Sequence, residues 1–265
     1  MNALRHYLLA IQFFTRIPVT GRLAHWVGYS PAMLRASAAH FPGVGVLVGA
    51  VVALFTLGLM QALPASAYAP LVAAALGTVL SVFITGGFHE DGLADVADGL
   101  GGSSERERAL VIMKDSRVGA FGAMALVLVM LTKVALLALL GSVDVGLLAV
   151  ALFAAHVCSR TWPLLLIRFM PHVGDAAGSK SKPLADQISN TSLAVAGVWF
   201  ALASGLVLWL TDGVAWWAPL LASALALLWM GRLFWRRLQG FTGDCLGATQ
   251  QMCELAFYLG LAVTL

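Results

Sequence analysis

Three aspartates pose the first chemical question. Asp91, Asp95 and Asp98 fall at i, i+4 and i+7 within His89-Glu90-Asp91-Gly92-Leu93-Ala94-Asp95-Val96-Ala97-Asp98-Gly99. At about 100° per residue, a helix carries all three on one stripe. Like charges at this spacing destabilise a helix unless something offsets them. A divalent cation would do so, and Mg²⁺ in particular is held by a few carboxylates together with substrate phosphates. The interleaved Leu93, Ala94, Val96 and Ala97 offer a face to bury, which a solvated acidic loop would not need. Asp91, Asp95 and Asp98 are therefore the expected metal ligands, with Asp115 as a further carboxylate. Gly92, Gly99, Gly101 and Gly102 remove side-chain bulk, so that a ligand can approach the backbone. Glu90 lies off the stripe, and both support of a ligand and simple solvation stay open for it. His89 reads equally well as a general base or phosphate contact and as a helix-end histidine bonded locally.

Other polar residues could serve the same chemistry. Lys114, Ser116 and Arg117 stand just before a long apolar segment, where a helix N-terminus favours phosphate oxygens. Anchoring of the membrane surface accounts for Lys114 and Arg117 without a ligand. Glu105-Arg106-Glu107-Arg108 reads as an exposed, salt-bridged helix. The loop from Gly174 to Lys182 is small, polar and basic, which makes Lys180 a candidate phosphate contact, although the GxxxxGK[ST] order is absent. Thr242 and Asp244 precede the last helix, and either can cap it; Asp244 facing the site is the alternative. Arg160 and Arg168 lie inside an apolar segment, Arg160 deeper, while Arg168 can snorkel. Lys133 is near the middle of another segment. An ionised lysine there needs a carboxylate, carbonyls or water beside it, or must snorkel to the interface. We expect a polar pocket around it, descending from the acids.

The elements that must position these residues are membrane helices. Of 265 residues, 60% are apolar and 11% charged, against roughly 25% charged in a soluble domain. About 20 apolar residues cross the hydrocarbon core. Such stretches lie near 41–62, 67–88, 119–141, 147–169, 193–211 and 214–231, with a shorter, polar-starting seventh near 250–265. Met1 to Phe14 is too short to span and reads as an interfacial helix. Of the 16 basic residues, 13 fall before the first span or in alternate loops, and the remaining loops carry only Asp144 and Asp212. The positive-inside rule makes the basic side cytoplasmic. The expected fold is thus all-α, a polytopic transmembrane helix bundle of about six to seven spans. It is a single integral membrane domain, 1–265, with cytoplasmic loops 89–118, 171–192 and 232–249 forming an active-site shelf. The net charge of +3 reflects loop bias rather than nucleic-acid binding. Cys158, Cys245 and Cys253 lack CxxC spacing and read as packing residues. The bareness of the other face argues for an enzyme at one surface rather than a transporter.

The chain resembles the cobalamin synthase (adenosylcobinamide-GDP ribazoletransferase) family. The run from His89 to Gly99 looks like its signature, Phe14-Thr15-Arg16-Ile17-Pro18-Val19 like its N-terminal motif, and Met113 to Gly122 like its second. Thr242-Gly243-Asp244-Cys245-Leu246-Gly247-Ala248 is similar to its C-terminal motif. The resemblance implies a Mg²⁺-dependent enzyme of the cytoplasmic (inner) membrane. It would join adenosylcobinamide-GDP to α-ribazole or its 5′-phosphate and release GMP. On that basis Asp98, with His89 second, is the expected proton acceptor. Lys114, Arg117 and Arg160 would bind phosphate, with Ser116, Lys180, Asp244 and Lys133 as further substrate contacts. The bilayer is a partner, and a homo-oligomer or contact with other cobalamin-assembly enzymes is left open. A CDP-alcohol phosphotransferase is disfavoured because Asp95 follows Ala94 where its pattern needs Arg. An ion transporter is disfavoured because only Lys133 lies clearly deep in a span.

Overall fold

A computed structural model describes residues 2–174 and 187–265. Among these the chain is helical, joined by short turns and one isolated bridge between His172 and Phe241. Three short helices open it: α1 (Asn2–Phe14), α2 (Gly21–Val27) and α3 (Pro31–Ser37). A 3₁₀ turn at Ala38–His40 leads into α4 (Phe41–Ala62), and α5 (Ala69–Thr85) follows. Next come α6 (Phe88–Gly102), α7 (Arg106–Ile112) and the long α8 (Ala120–Val143). The rest are α9 (Val145–Thr161), α10 (Pro163–Phe169), α11 (Asn190–Leu210), α12 (Trp217–Leu238) and α13 (Gly243–Ala262).

The expected spans correspond to α4, α5, α8, α9 with α10, α11 and α12. Five described segments are long and apolar enough to cross a membrane, and α5 with α6 makes a sixth if that bent pair counts as one span. Helices α8 and α11 are the least buried of these segments, and their Leu128, Leu131, Leu202 and Trp209 stay exposed. The expected interfacial helix α1 buries Leu9, Ala10, Ile11 and Phe14 and packs against α3 and α4. The seventh element, α13, has the reverse character from a lipid-facing span. It lies inside the bundle against α6, α8, α9, α10 and α12, and its buried face includes Gln250, Gln251 and Glu254.

One turn decides where the aspartates go. Sequence alone suits a stripe that continues outward from the second span. The chain instead bends by 91° between α5 and α6. Gly86 and Gly87, with φ of 68° and 70°, are both left-handed there, a conformation that glycine adopts without steric cost. The acid-bearing helix therefore lies across the bundle, beside α8 and α13, rather than along the span before it. Its far end is tied down reciprocally. Arg237 of α12 donates to the carbonyls of Leu100 and Ser103, at 3.1 and 2.5 Å, and Arg106 donates to that of Leu238 at 2.6 Å.

Candidate active site

Two helices cross on bare backbone to build the site. A Cβ added to Gly92 of α6 would stand 2.7 Å from the carbonyl oxygen of Asp244 and 3.1 Å from its Cα. One added to Gly247 of α13 would stand 3.2 Å from Cα and O of His89. With no side chains between them, the start of α13 settles onto α6 and brings Asp244 to the aspartate stripe. Thr242 caps α13, its hydroxyl accepting from the amide of Cys245 and donating to Asp244 Oδ2 at 3.3 Å. Capping thus falls to Thr242, and Asp244 joins the acids.

The acids repel one another. Asp95 is partly buried, and burial pushes its carboxyl up to about 7, with the charges of Asp244, Asp91 and Asp98 adding in that order. Asp244 is raised as well, by burial first and also by Asp91, against the hydrogen bond from Thr242. Among the described residues, no three acid, histidine or cysteine side chains stand close enough to cage a metal ion. Crowded carboxylates without a cage fit an ion shared between one or two of them and substrate phosphates, the usual arrangement for Mg²⁺.

Asp98, expected as both ligand and base, already has work for both oxygens. They accept the amides of Gly119 and Gly122 at 2.7 and 2.8 Å. These are the entry and first turn of α8, where a carboxylate also meets the positive end of the helix dipole. Asp98 thereby clamps α8 to α6. Asp115 does not figure among the charges acting on Asp95. Arg117 grips it instead with three hydrogen bonds of 2.5–3.1 Å, which hold its carboxyl down to about 2. The guanidinium is otherwise exposed, as are Lys114 and Ser116 on the same turn. Lys180 lies outside the described residues.

The remaining expected contacts sit beneath the site rather than on it. His89 is sealed, 1% exposed, with both ring nitrogens unpartnered and its ring stacked on Phe41. Arg160 is equally buried. It donates to Nδ1 and the carbonyl oxygen of His156 at 2.8 and 3.1 Å and leaves its own Nε unpartnered. Lys133, 2% exposed, forms an ion pair of 2.7 Å with Glu254 Oε1. The lipid-facing alternative for Lys133 is thereby excluded. Its partner is a carboxylate, one of the alternatives the sequence left open, and it comes from α13.

Sequence reading gives no weight to Glu254, Gln250, Gln251 or His156, all of them buried around Lys133. The available signal was their placement at 250, 251 and 254, a polar set one turn apart within an apolar chain. Arg16 was also passed over as a site residue. Its amide donates to Ile84 at 2.6 Å and its side chain lies against Gly86, which puts an exposed guanidinium at the elbow before α6. The three cysteines are free and buried.

Similarity to known proteins covers nearly the whole chain. The sequence profile of the cobalamin-5-phosphate synthase family matches residues 6–262. A relative from Albidiferax ferrireducens, named adenosylcobinamide-GDP ribazoletransferase, is 68% identical over 99% of each chain. Relatives of the same name from Leptothrix cholodnii and Vibrio cholerae are 46% and 43% identical, covering 97% and 96% of this chain and 94% and 91% of theirs. No solved structure matches.

Proposed function

The chain belongs to the cobalamin-5-phosphate synthase family, and from that premise we propose that it is an adenosylcobinamide-GDP ribazoletransferase. It transfers the phosphocobinamide group of adenosylcobinamide-GDP to α-ribazole, or to α-ribazole 5′-phosphate, and releases GMP. The product is adenosylcobalamin or its 5′-phosphate, which completes the nucleotide loop. The observation that carries this reading is the meeting of Asp91, Asp95 and Asp244 at the α6–α13 crossing, with Asp95 held near neutrality.

The reaction exchanges a phosphoanhydride bond for a phosphodiester. A ribose hydroxyl of α-ribazole attacks the phosphorus bonded to cobinamide, and the bond to the GMP phosphate breaks with its electron pair. When bound, Mg²⁺ would supply charge neutralisation at the transferring phosphoryl group. One or two of Asp91, Asp95 and Asp244 would hold it. Of the acids around the site, Asp95 is also the favoured proton acceptor. A carboxyl poised near neutral pH combines basicity with availability, whereas Asp98 is occupied at both oxygens and His89 is sealed from solvent. Arg117, Lys114 and Ser116 line an exposed turn beside the Asp98 clamp and supply cationic and hydroxyl contacts for phosphate. Arg16 offers another at the elbow.

Thirteen of the 16 basic residues fall in the sequence before the first span or in alternate loops, the same segments that carry the acids, so by the positive-inside rule the site faces the cytoplasm. The localisation that follows is the cytoplasmic membrane. Purified protein in detergent, given adenosylcobinamide-GDP and α-ribazole 5′-phosphate, should release GMP and form cobalamin phosphate only with Mg²⁺ or Mn²⁺ present. Formation of product in EDTA would overturn the metal assignment. Failure to consume adenosylcobinamide-GDP under any divalent ion would overturn the activity.

A further inference from the structure

Beneath the acids lies a polar network that the reaction as described does not use. Lys133 of α8 pairs with Glu254 Oε1 at 2.7 Å, and Tyr258 donates to the same oxygen at 3.0 Å. Glu254 Oε2 accepts from Gln250 at 2.7 Å. Gln250 also donates to Ser159 of α9 at 2.9 Å, and its carbonyl oxygen accepts from Gln251 at 2.8 Å. Gln251 then donates to Glu90 Oε1 at 3.1 Å. Glu90 immediately precedes Asp91, the first acid of the stripe. The path therefore runs without a gap from mid-span α8, through three side chains of α13, to the first turn of α6. Every member from Lys133 to Glu90 is at most 8% exposed.

A bundle that needed only stability would not be built this way. A buried ion pair is at best a weak source of stability, because desolvation offsets the Coulomb attraction, and apolar residues of similar volume serve as well. Polar groups buried in membrane proteins are costly and usually tied to function. The network also keeps Glu90 Oε2, Gln251 Oε1 and His156 Nε2 unpartnered, which a purely structural arrangement would avoid. What it does achieve is register. On the upper side, glycine-to-backbone contact sets how closely α6 and α13 approach, but such contact alone lets two helices slide or rotate. On the lower side, Gln251 and Glu90 form a directional link that fixes the rotation of the first turn of α6, and Glu254 with Lys133 fixes Gln250 and Gln251 in turn.

We infer that Glu254 is a positioning residue for the acidic site, acting through Gln250, Gln251 and Glu90 to hold Asp91 in register with Asp244 and Asp95. The inference rests on the reading of these acids as the metal-binding and phosphoryl-transfer site. Glu254 does not touch the reacting groups. Its effect reaches them as the orientation of the α6 first turn.

The test separates positioning from stability with two variants. In Lys133→Met/Glu254→Met, the charged pair is replaced by two apolar side chains, so neither partner is left without the other, and buried Arg160 and Glu90 remain as charges of opposite sign. Gln251→Leu cuts the link to Glu90 and leaves the ion pair in place. Each is measured in detergent for melting temperature, for Mn²⁺ binding by the loss of the free-ion paramagnetic resonance signal, and for turnover against Mg²⁺ concentration. Both variants are expected to bind Mn²⁺ at least fivefold more weakly, and to need at least fivefold more Mg²⁺ for half-maximal turnover. Gln251→Leu should melt within a few degrees of the wild type. Folded variants with wild-type Mn²⁺ affinity and Mg²⁺ requirement would overturn the inference and make the network a stability device. If the double variant does not fold, Gln251→Leu alone decides. Failure of the underlying reading looks different: the wild-type protein itself would then bind no Mn²⁺, or Asp91→Asn would bind it normally.

Discussion

Gly92→Ala probes the crossing that builds the site with the smallest change available. The added methyl would sit 2.7 Å from the Asp244 carbonyl oxygen, about 0.7 Å inside the 3.4 Å at which ordinary contact begins. The obstacle is backbone, so the helices themselves must part or turn. Overpacking of this kind costs about 1–3 kcal/mol, and the better helix propensity of alanine returns up to about 1 kcal/mol. The net destabilisation is therefore about 0–3 kcal/mol, visible as a modest fall in melting temperature. The effect on catalysis should be larger. Asp244 recedes from Asp95 by a similar fraction of an ångström, and misplacement of about 1 Å costs on the order of 100-fold in rate. We expect GMP release at saturating substrate to drop at least tenfold. Withdrawal of the Asp244 charge, the largest electrostatic contribution to the Asp95 shift, should also move the ascending, acidic limb of the rate profile to lower pH, since a proton acceptor works only when deprotonated. Gly58→Ala in α4, where a Cβ meets nothing within 4 Å, is the matched control and should leave turnover unchanged. Wild-type turnover in Gly92→Ala, with Gly58→Ala also normal, would refute the crossing as the device that sets the acid geometry.

Asp95 gives a pH prediction of definite sign. Its folded pKa of about 7 lies above the usual 3.8, so its contribution to stability is present below pH 4 and lost as pH rises through 7. Divalent ions should accordingly raise the melting temperature more at pH 8 than at pH 5, and Asp95→Asn should be inactive yet melt above the metal-free wild type at pH 8. Asp98→Ala removes two charge-assisted hydrogen bonds from the start of α8; at about 1.5–3 kcal/mol each before compensation by water, it should lower the melting temperature clearly, a fall that Asp95→Asn will not show. Asp115→Asn, whose carboxylate is committed to Arg117, should keep wild-type Mn²⁺ affinity, whereas Asp91→Asn should weaken it. Cysteines at positions 103 and 239, on the two segments joined by Arg237 and Arg106, should both resist an impermeant thiol reagent applied to intact cells; labelling of either would reverse the orientation.

How much of this was readable beforehand depends on the range of the interaction. The spans were legible because apolar length is a local property, and α4, α11 and α12 begin and end within a few residues of the expected bounds except at the polar end of α12. The stripe of Asp91, Asp95 and Asp98 was legible because helical period places them without knowledge of neighbours. The clamp by Asp98 was not, since it depends on where a helix 21 residues away begins. The partner of Lys133 was missed for a related reason. Glu254 sits in a helix that begins polar, and a polar start reads as exposure. In this chain it marks the helix that the others surround. The elbow had its glycines in plain view, yet Gly86-Gly87 fixes only that a turn is affordable. Its angle follows from the packing of α6 on α8 and α13.

That elbow has a consequence for the bilayer itself. Ending at Thr85, α5 has 17 residues, a length of roughly 25 Å at 1.5 Å per residue, against about 30 Å of hydrocarbon. Its neighbour α8, with 24 residues, reaches roughly 36 Å by the same rise. A short helix joined to a crosswise one draws the lipid surface down locally, by thinning the membrane or admitting water around the turn. We expect the acids to lie in a dimple below the level of the surrounding headgroups. Reconstitution into lipids of increasing acyl length should then deepen the dimple, and turnover should decline as the substrates have farther to descend.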